Sequence, residues 1–206
     1  MQLANTPSRY GAVSQNIHWL TAVLVVALLI SGKAGEIEAE ASNALYFWHS
    51  SLGLSILLLV VVRVIWHFAS PPPKLPATML GLARGIARAF HVLFYVLLIA
   101  LPLSGWMAAS AEGGPVTFFG FVAMPALGAS QPTVGAEQEE DAELTAAHEA
   151  KSGEEFWEEA HEVLGNLLLI AAILHVLAAF KHHLVDRDEV LRRMLPRGNT
   201  SALKKD

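Results

Sequence analysis

The chain has 206 residues, 53% of them hydrophobic and only 16% charged, with nine histidines, no cysteine and a formal net charge of −5. A soluble domain is about a quarter charged, so a water-facing globule is excluded. The missing cysteine also rules out disulfides, thiolate-held metal clusters, thioether-linked cofactors and thiol nucleophiles.

Four apolar runs reach the roughly 20 residues that a helix needs to cross a bilayer. They lie near residues 16–34, 45–68, 89–110 and 158–181. The first follows Arg9, carries His18 at its start and is long, with no clear small-x-small site after it. It reads as an uncleaved span and not as a signal peptide. The next stretch sets Lys33 against Glu36, Glu38 and Glu40. The second span opens with His49, is interrupted by Arg63 and stops at "SPPPKLPA", residues 70–77, where proline cannot continue a helix.

The following loop and its flanks hold Arg63, Lys74, Arg84 and Arg88 with no acidic residue. His91 stands early in the third span. After it, "GGPVTFFGFVAMPALG", residues 113–128, is apolar but broken by Pro115 and Pro125, and is expected to lie at the interface without crossing. It opens an acidic outer loop of about residues 111–157, expected to be polar and in part helical. Lys151 is the one base there among many carboxylates, and His148 in the same loop is not expected to take part in the site. The fourth span holds His161 and His175, and its tail carries Lys181, Arg187, Arg192, Arg193, Arg197, Lys204 and Lys205.

Basic residues stay on the cytoplasmic side of a membrane. Both termini and the second loop are therefore expected in the cytoplasm and the acidic loops outside. The expected fold is all-α: one integral membrane four-helix bundle over residues 1–206. Topology accounts for the basic residues, so they do not suggest nucleic-acid binding.

An ionisable residue inside a span is costly and signals function by default. A helix rises about 1.5 Å and turns about 100° per residue, so 14 residues climb about 21 Å and return to nearly the same face. His161 and His175 thus share one stripe of the fourth span at two depths. Chain direction puts His49 at the level of His161 and His18 at the level of His175. Two imidazoles from different helices at one depth suit six-coordinate haem iron, and this pattern points to two haem b groups. Small residues follow each histidine by four positions: Ala22, Gly53, Gly165 and Ala179. Such gaps admit a flat macrocycle, Gly53 and Gly165 most of all. A single histidine near a helix end is more often a boundary residue, so the weight rests on the joint pattern. A haem-free metal transporter is the alternative, but it would gather its ligands at one level.

Several stretches in chain order resemble the bacterial cytochrome b561 family of four-helix, di-haem membrane proteins. They are "IHWLTA" at 17–22, "HSSLG" at 49–53, "VVRVIW" at 61–66, "ALPLSGW" at 100–106, "FFG" at 118–120, "AHEVLGN" at 160–166, "LHVLAAFKHH" at 174–183 and "VLRRMLP" at 190–196. The resemblance covers nearly the whole chain, and the family's haem-iron ligands fall on His18, His49, His161 and His175. It implies electron transfer with a membrane quinone in the bacterial inner membrane, in some members from superoxide. Other relatives serve as electron-relay cytochrome b subunits docked on a hydrogenase or another redox protein.

Haem propionates favour charge-assisted donors. Arg63 is the first candidate on the inner side, with Ser50, Ser51 or Asn166 on the outer. His91, His182 and His183 are either interfacial anchors or the lining of a quinone pocket that moves protons. The acidic outer loop is a poor attractor of superoxide and suits a cationic partner such as a basic cytochrome c, unless it is only a solvated spacer. Trp19, Trp48, Trp66, Trp106 and Trp157 read as a boundary belt.

Overall fold

The computed structural model describes residues 2–35, 42–74, 81–111, 115–126 and 140–195. Glu36, Glu38, Glu40, Glu112, Glu137, Glu139, Arg197, Lys204, Lys205, the end of the proline stretch and the ends of the 113–128 segment lie outside them. Four long helices dominate: α1 (Ala12–Gly35), α2 (Ser42–Ala69), α3 (Gly81–Ala111) and α4 (Glu140–Leu184). A hairpin of β1 (Val116–Phe118) and β2 (Val122–Met124) links α3 to α4, and α5 (Val190–Met194) follows α4. Each long helix contains a stretch apolar and long enough to span a membrane, so the fold is an all-α membrane four-helix bundle with one small hairpin appended.

The exposed flanks are apolar. Val23, Ile30, Leu58, Ile65, Val92 and Leu177 all stand out from the bundle. In water such a surface would be an aggregation hazard, whereas in lipid it costs nothing. The buried core is small and lies mid-bundle: Ile56 and Val60 of α2, Leu97 and Leu98 of α3, Leu168 and Ala171 of α4. Leu168 sits seven residues from both His161 and His175, on the same stripe. The core is therefore a packed layer between two histidine levels. Around it α1 packs on α2, α2 on α3 and α3 on α4, while α1 and α4 share no comparable contact among the described residues.

Two stretches differ from the sequence expectation. Residues 113–128 were expected as an interfacial segment, but the described part forms the antiparallel hairpin, Thr117 opposite Ala123, turning at Phe119 and Gly120 with positive φ. The turn needs that left-handed backbone, which glycine adopts freely. The hairpin is fastened to α2 by Ser51, whose side chain is fully buried. The Ser51 hydroxyl faces the Thr117 carbonyl at 3.4 Å and accepts from the Phe119 N–H at 3.1 Å. Second, the acidic 111–157 stretch, expected to be in part helical, is helical from Glu140 and runs without a break into the fourth span as α4. Its 45 residues make a rod of about 68 Å, yet only Gly153–Leu184 is apolar enough to span. Glutamate and alanine favour helix, and acidic residues suit a helix N-terminus, so the rod continues past the apolar segment.

The end of the bundle that holds both chain ends is stitched by side chains. Asn5 donates its backbone N–H to the Ser70 hydroxyl at 2.8 Å and its amide to the Ser70 carbonyl at 2.7 Å. The Asn5 side-chain oxygen accepts from Gly11 N–H and from the Ser14 hydroxyl, which in turn accepts from the Trp66 indole at 3.0 Å. Gln15 and Trp19 donate to carbonyls of α5 and its end, Arg193, Leu195 and Met194. Trp19 and Trp66 are thus tied into the terminal end of the fold as well as lying near its boundary.

Candidate functional site

Four half-buried histidines stand at two levels of the bundle. At the hairpin level His49 of α2 faces His161 of α4, ring centres 6.0 Å apart and planes at 73°. At the terminal level His18 of α1 faces His175 of α4, with 6.4 Å and 62°. Two imidazoles on opposite sides of one metal ion, each nitrogen about 2 Å from it, have ring centres roughly 6 Å apart. Edge-to-face packing of two rings covers the same range, but a merely packed pair leaves no cavity beside it. The hairpin-level pair borders a cavity of about 490 Å³, walled by α1, α2, α3 and α4. That is a size and an apolar lining suited to a cofactor.

Glycines shape this cavity in two ways. Gly53 and Gly165 line it, and a Cβ at either would meet nothing within 4 Å, so each opens space. Gly32 of α1 and Gly105 of α3 press on the rings instead. A Cβ would stand 3.4 Å from His49 Cε1 at the first and 3.1 Å from His161 Cε1 at the second. Beside each of these sits a serine: the Ser31 hydroxyl is 2.9 Å from His49 Nδ1, and the Ser104 hydroxyl 3.0 Å from His161 Nδ1. His161 Nδ1 is also 3.1 Å from the Leu101 carbonyl. Sequence reasoning missed these four residues. The signal was the Ser-Gly pair repeated in the first and third spans at the level of a histidine.

The rim of the cavity carries Lys33, Glu158, Glu162 and Asn166. Lys33 Nζ lies 4.0 Å from Glu162 Oε1, and the Asn166 amide donates to the same carboxylate oxygen at 3.5 Å. Lys33, expected on the outer side, thus stands at the cavity itself, a place that the sequence reading did not give it. Ser50 also lines the cavity, whereas Ser51 is occupied with the hairpin.

At the terminal level the ring of His91 is 6.3 Å from that of His175, slightly closer than the 6.4 Å of His18. The two neighbours differ in setting. His91 is exposed and donates its Nδ1–H to the Ala87 carbonyl at 2.6 Å, while His18 is half-buried. Arg63 is half-buried, lies 5.8 Å over the Tyr95 ring, and is near enough for its charge to act on both His18 and His175. In the last turn of α4, His182 donates Nδ1–H to Asp188 at 2.6 Å and approaches Asp186 at 3.1 Å. Lys181 takes both oxygens of Asp186 and holds that exposed carboxyl below its usual range. These bonds close the end of α4. His183, next along, borders a small surface pocket with Arg187 and Arg192.

The hairpin-level residues fit haem b, with paired imidazole donors, an apolar cavity and the open space at Gly53 and Gly165, and the terminal level offers the same paired imidazoles. The family model for prokaryotic cytochrome b561 matches residues 9–197. Cytochrome b561 homolog 2 of Escherichia coli (strain K12) is 30% identical over 204 residues, 97% of this chain and 98% of that protein. The probable superoxide oxidase CybB of Yersinia pestis is 28% identical over 193 residues, 92% and 97% of the two chains. Cytochrome b561 homolog 1 of Escherichia coli (strain K12) is 25% identical over 195 residues, 92% and 98%. A bacterial multi-pass membrane protein whose bundle gathers these histidines, and which aligns nearly end to end with such relatives, is a haem b electron-transfer protein: the chain belongs to the prokaryotic cytochrome b561 family.

Proposed function

We propose that the chain holds two haem b groups, one between His49 and His161 and one between His18 and His175, and passes single electrons between them and a membrane quinone. The observation that carries this reading is the pairing of half-buried imidazoles at two levels of one α4 stripe. When bound, haem supplies one-electron chemistry, and the protein supplies position and potential. Gly53 and Gly165 leave room at the hairpin level. Arg63 is placed to donate to a propionate at the terminal level, where its charge also favours the reduced state. His91 and His182 each hold Nδ1–H on an oxygen, leaving Nε2 to take or give a proton. A quinone reduced at that end of the bundle needs such groups. The basic residues there support a cytoplasmic position for that end, in a bacterial inner membrane.

On the outer side, Glu154, Glu155, Glu158, Glu159 and Glu162 crowd the stretch of α4 around the cavity mouth. This charge favours a cationic redox protein as partner over superoxide, although one relative is named a probable superoxide oxidase. The purified protein is expected to show two low-spin b-type haems per chain in a reduced-minus-oxidised spectrum. His49→Ala and His161→Ala should remove the same centre and His175→Ala the other. A haem-free protein expressed with haem supplied, or loss of one centre by both His49→Ala and His175→Ala, defeats the reading.

A further inference from the structure

We infer that Ser31 and Ser104 are positioning residues that fix the tautomer of both hairpin-level histidines and hold the potential of the centre between them below that of the other. The inference rests on the two-haem reading above. Each hydroxyl has a carbonyl of its own helix within reach, Leu28 at 3.1 Å from Ser31 and Leu101 at 2.9 Å from Ser104. An imidazole whose Nε2 held iron would keep its proton on Nδ1. The serine oxygen beside it, 2.9 Å from His49 Nδ1 and 3.0 Å from His161 Nδ1, would then accept that proton while donating its own to the carbonyl. For His161 a second argument agrees, because the Leu101 carbonyl 3.1 Å away can accept but not donate. With the proton on Nδ1, Nε2 offers its lone pair to the cavity.

The two arrangements are copies. Ser31 and Gly32 of α1 serve His49 of α2, and Ser104 and Gly105 of α3 serve His161 of α4. In each, the glycine lets the ring lie against the neighbouring helix and the serine next to it bonds the ring nitrogen. A hydrogen bond accepted from the far ring nitrogen orients a ligating imidazole and makes it more basic. A more basic ligand favours the oxidised iron and lowers its potential. Among the described residues neither His18 nor His175 has such a bond, and Arg63 stands at their level, 14 residues along α2 from His49 and over the Tyr95 ring. The two levels are thus tuned in opposite directions, and an electron moves downhill from the hairpin level to the terminal level.

The test is a potentiometric titration of the full, haem-loaded protein followed optically, on wild type, Ser31→Ala, Ser104→Ala and the double variant. Each alanine is expected to raise the midpoint of one and the same centre, the one that His161→Ala abolishes. The double variant should shift it by about tenfold in the reduction equilibrium, or about 59 mV for one electron. Ser104→Thr, which keeps the hydroxyl, should return towards wild type. Unmoved midpoints, equal movement of both centres, or loss of haem with the remaining centre unshifted would overturn the role. A wild type with fewer than two low-spin haems would instead overturn the reading on which it rests.

Discussion

At the scale of the residue, the histidines were legible in the sequence because an imidazole in an apolar stripe is conspicuous, and because 14 residues is close to a whole number of turns. Gly53 and Gly165 were legible for the same reason, by their fixed offset. Ser31 and Ser104 were not, since Ser-Gly is ordinary in membrane helices and the bonds that matter cross from one helix to another. Filling the gap should test the cavity: Gly165→Leu is expected to abolish the hairpin-level centre while leaving the other, seen as loss of about half the haem, with helix content by circular dichroism unchanged. Outside the membrane, burial pushes the Tyr10 hydroxyl above the usual tyrosine range, with Arg63 pulling partly back. Its contribution to stability is therefore complete below the ordinary value and fades as pH rises through the raised one. In an alkaline absorbance titration Tyr10→Phe should remove a late-ionising step.

At the scale of the element, the four spans followed from hydrophobic length, but their ends did not. The fourth span was expected from residue 158 with part of the loop before it helical, and the two form one helix from Glu140, because a stretch rich in glutamate and alanine has no apolar signal to mark where its helix starts. The hairpin was unreadable as such: strands of three residues are too short to show alternation, and it is Ser51 on another helix that holds it. Ser51→Val leaves the Phe119 N–H without its buried acceptor, at a cost of about 1–3 kcal/mol. The expected result is faster amide hydrogen exchange across residues 116–124, with exchange along α2 unchanged.

At the scale of the whole molecule, the arrangement of charge and of bonded side chains agrees with a single orientation. The N-terminal arm, the end of α2 and α5 are laced together at the end rich in Arg and Lys, through Asn5, Gln15 and Arg193, whose guanidinium donates to the Lys74 carbonyl. A phosphatase reporter active only outside the cytoplasm should stay silent when fused after residue 206 and become active when inserted among residues 127–139. The reverse pattern would invert the assignment of inner and outer levels.

The packed layer of Ile56, Val60, Leu97, Leu98, Leu168 and Ala171 does more than hold the helices together. It is a dry septum between the two histidine levels. Electrons tunnel through such close-packed matter, but protons need water or a chain of polar groups, and the six side chains of this layer supply no polar group. The levels are separated by about 21 Å of helix within a hydrocarbon slab of about 30 Å. An electron that crosses leaves its proton behind and so does electrical work against or with the membrane potential. A full crossing is worth about 2.3 kcal/mol per 100 mV, and this one the share of the field that its span covers. On the two-haem proposal the bundle would therefore behave as a one-electron wire with an insulating jacket, and the voltage across the membrane would become one of the forces that set its direction.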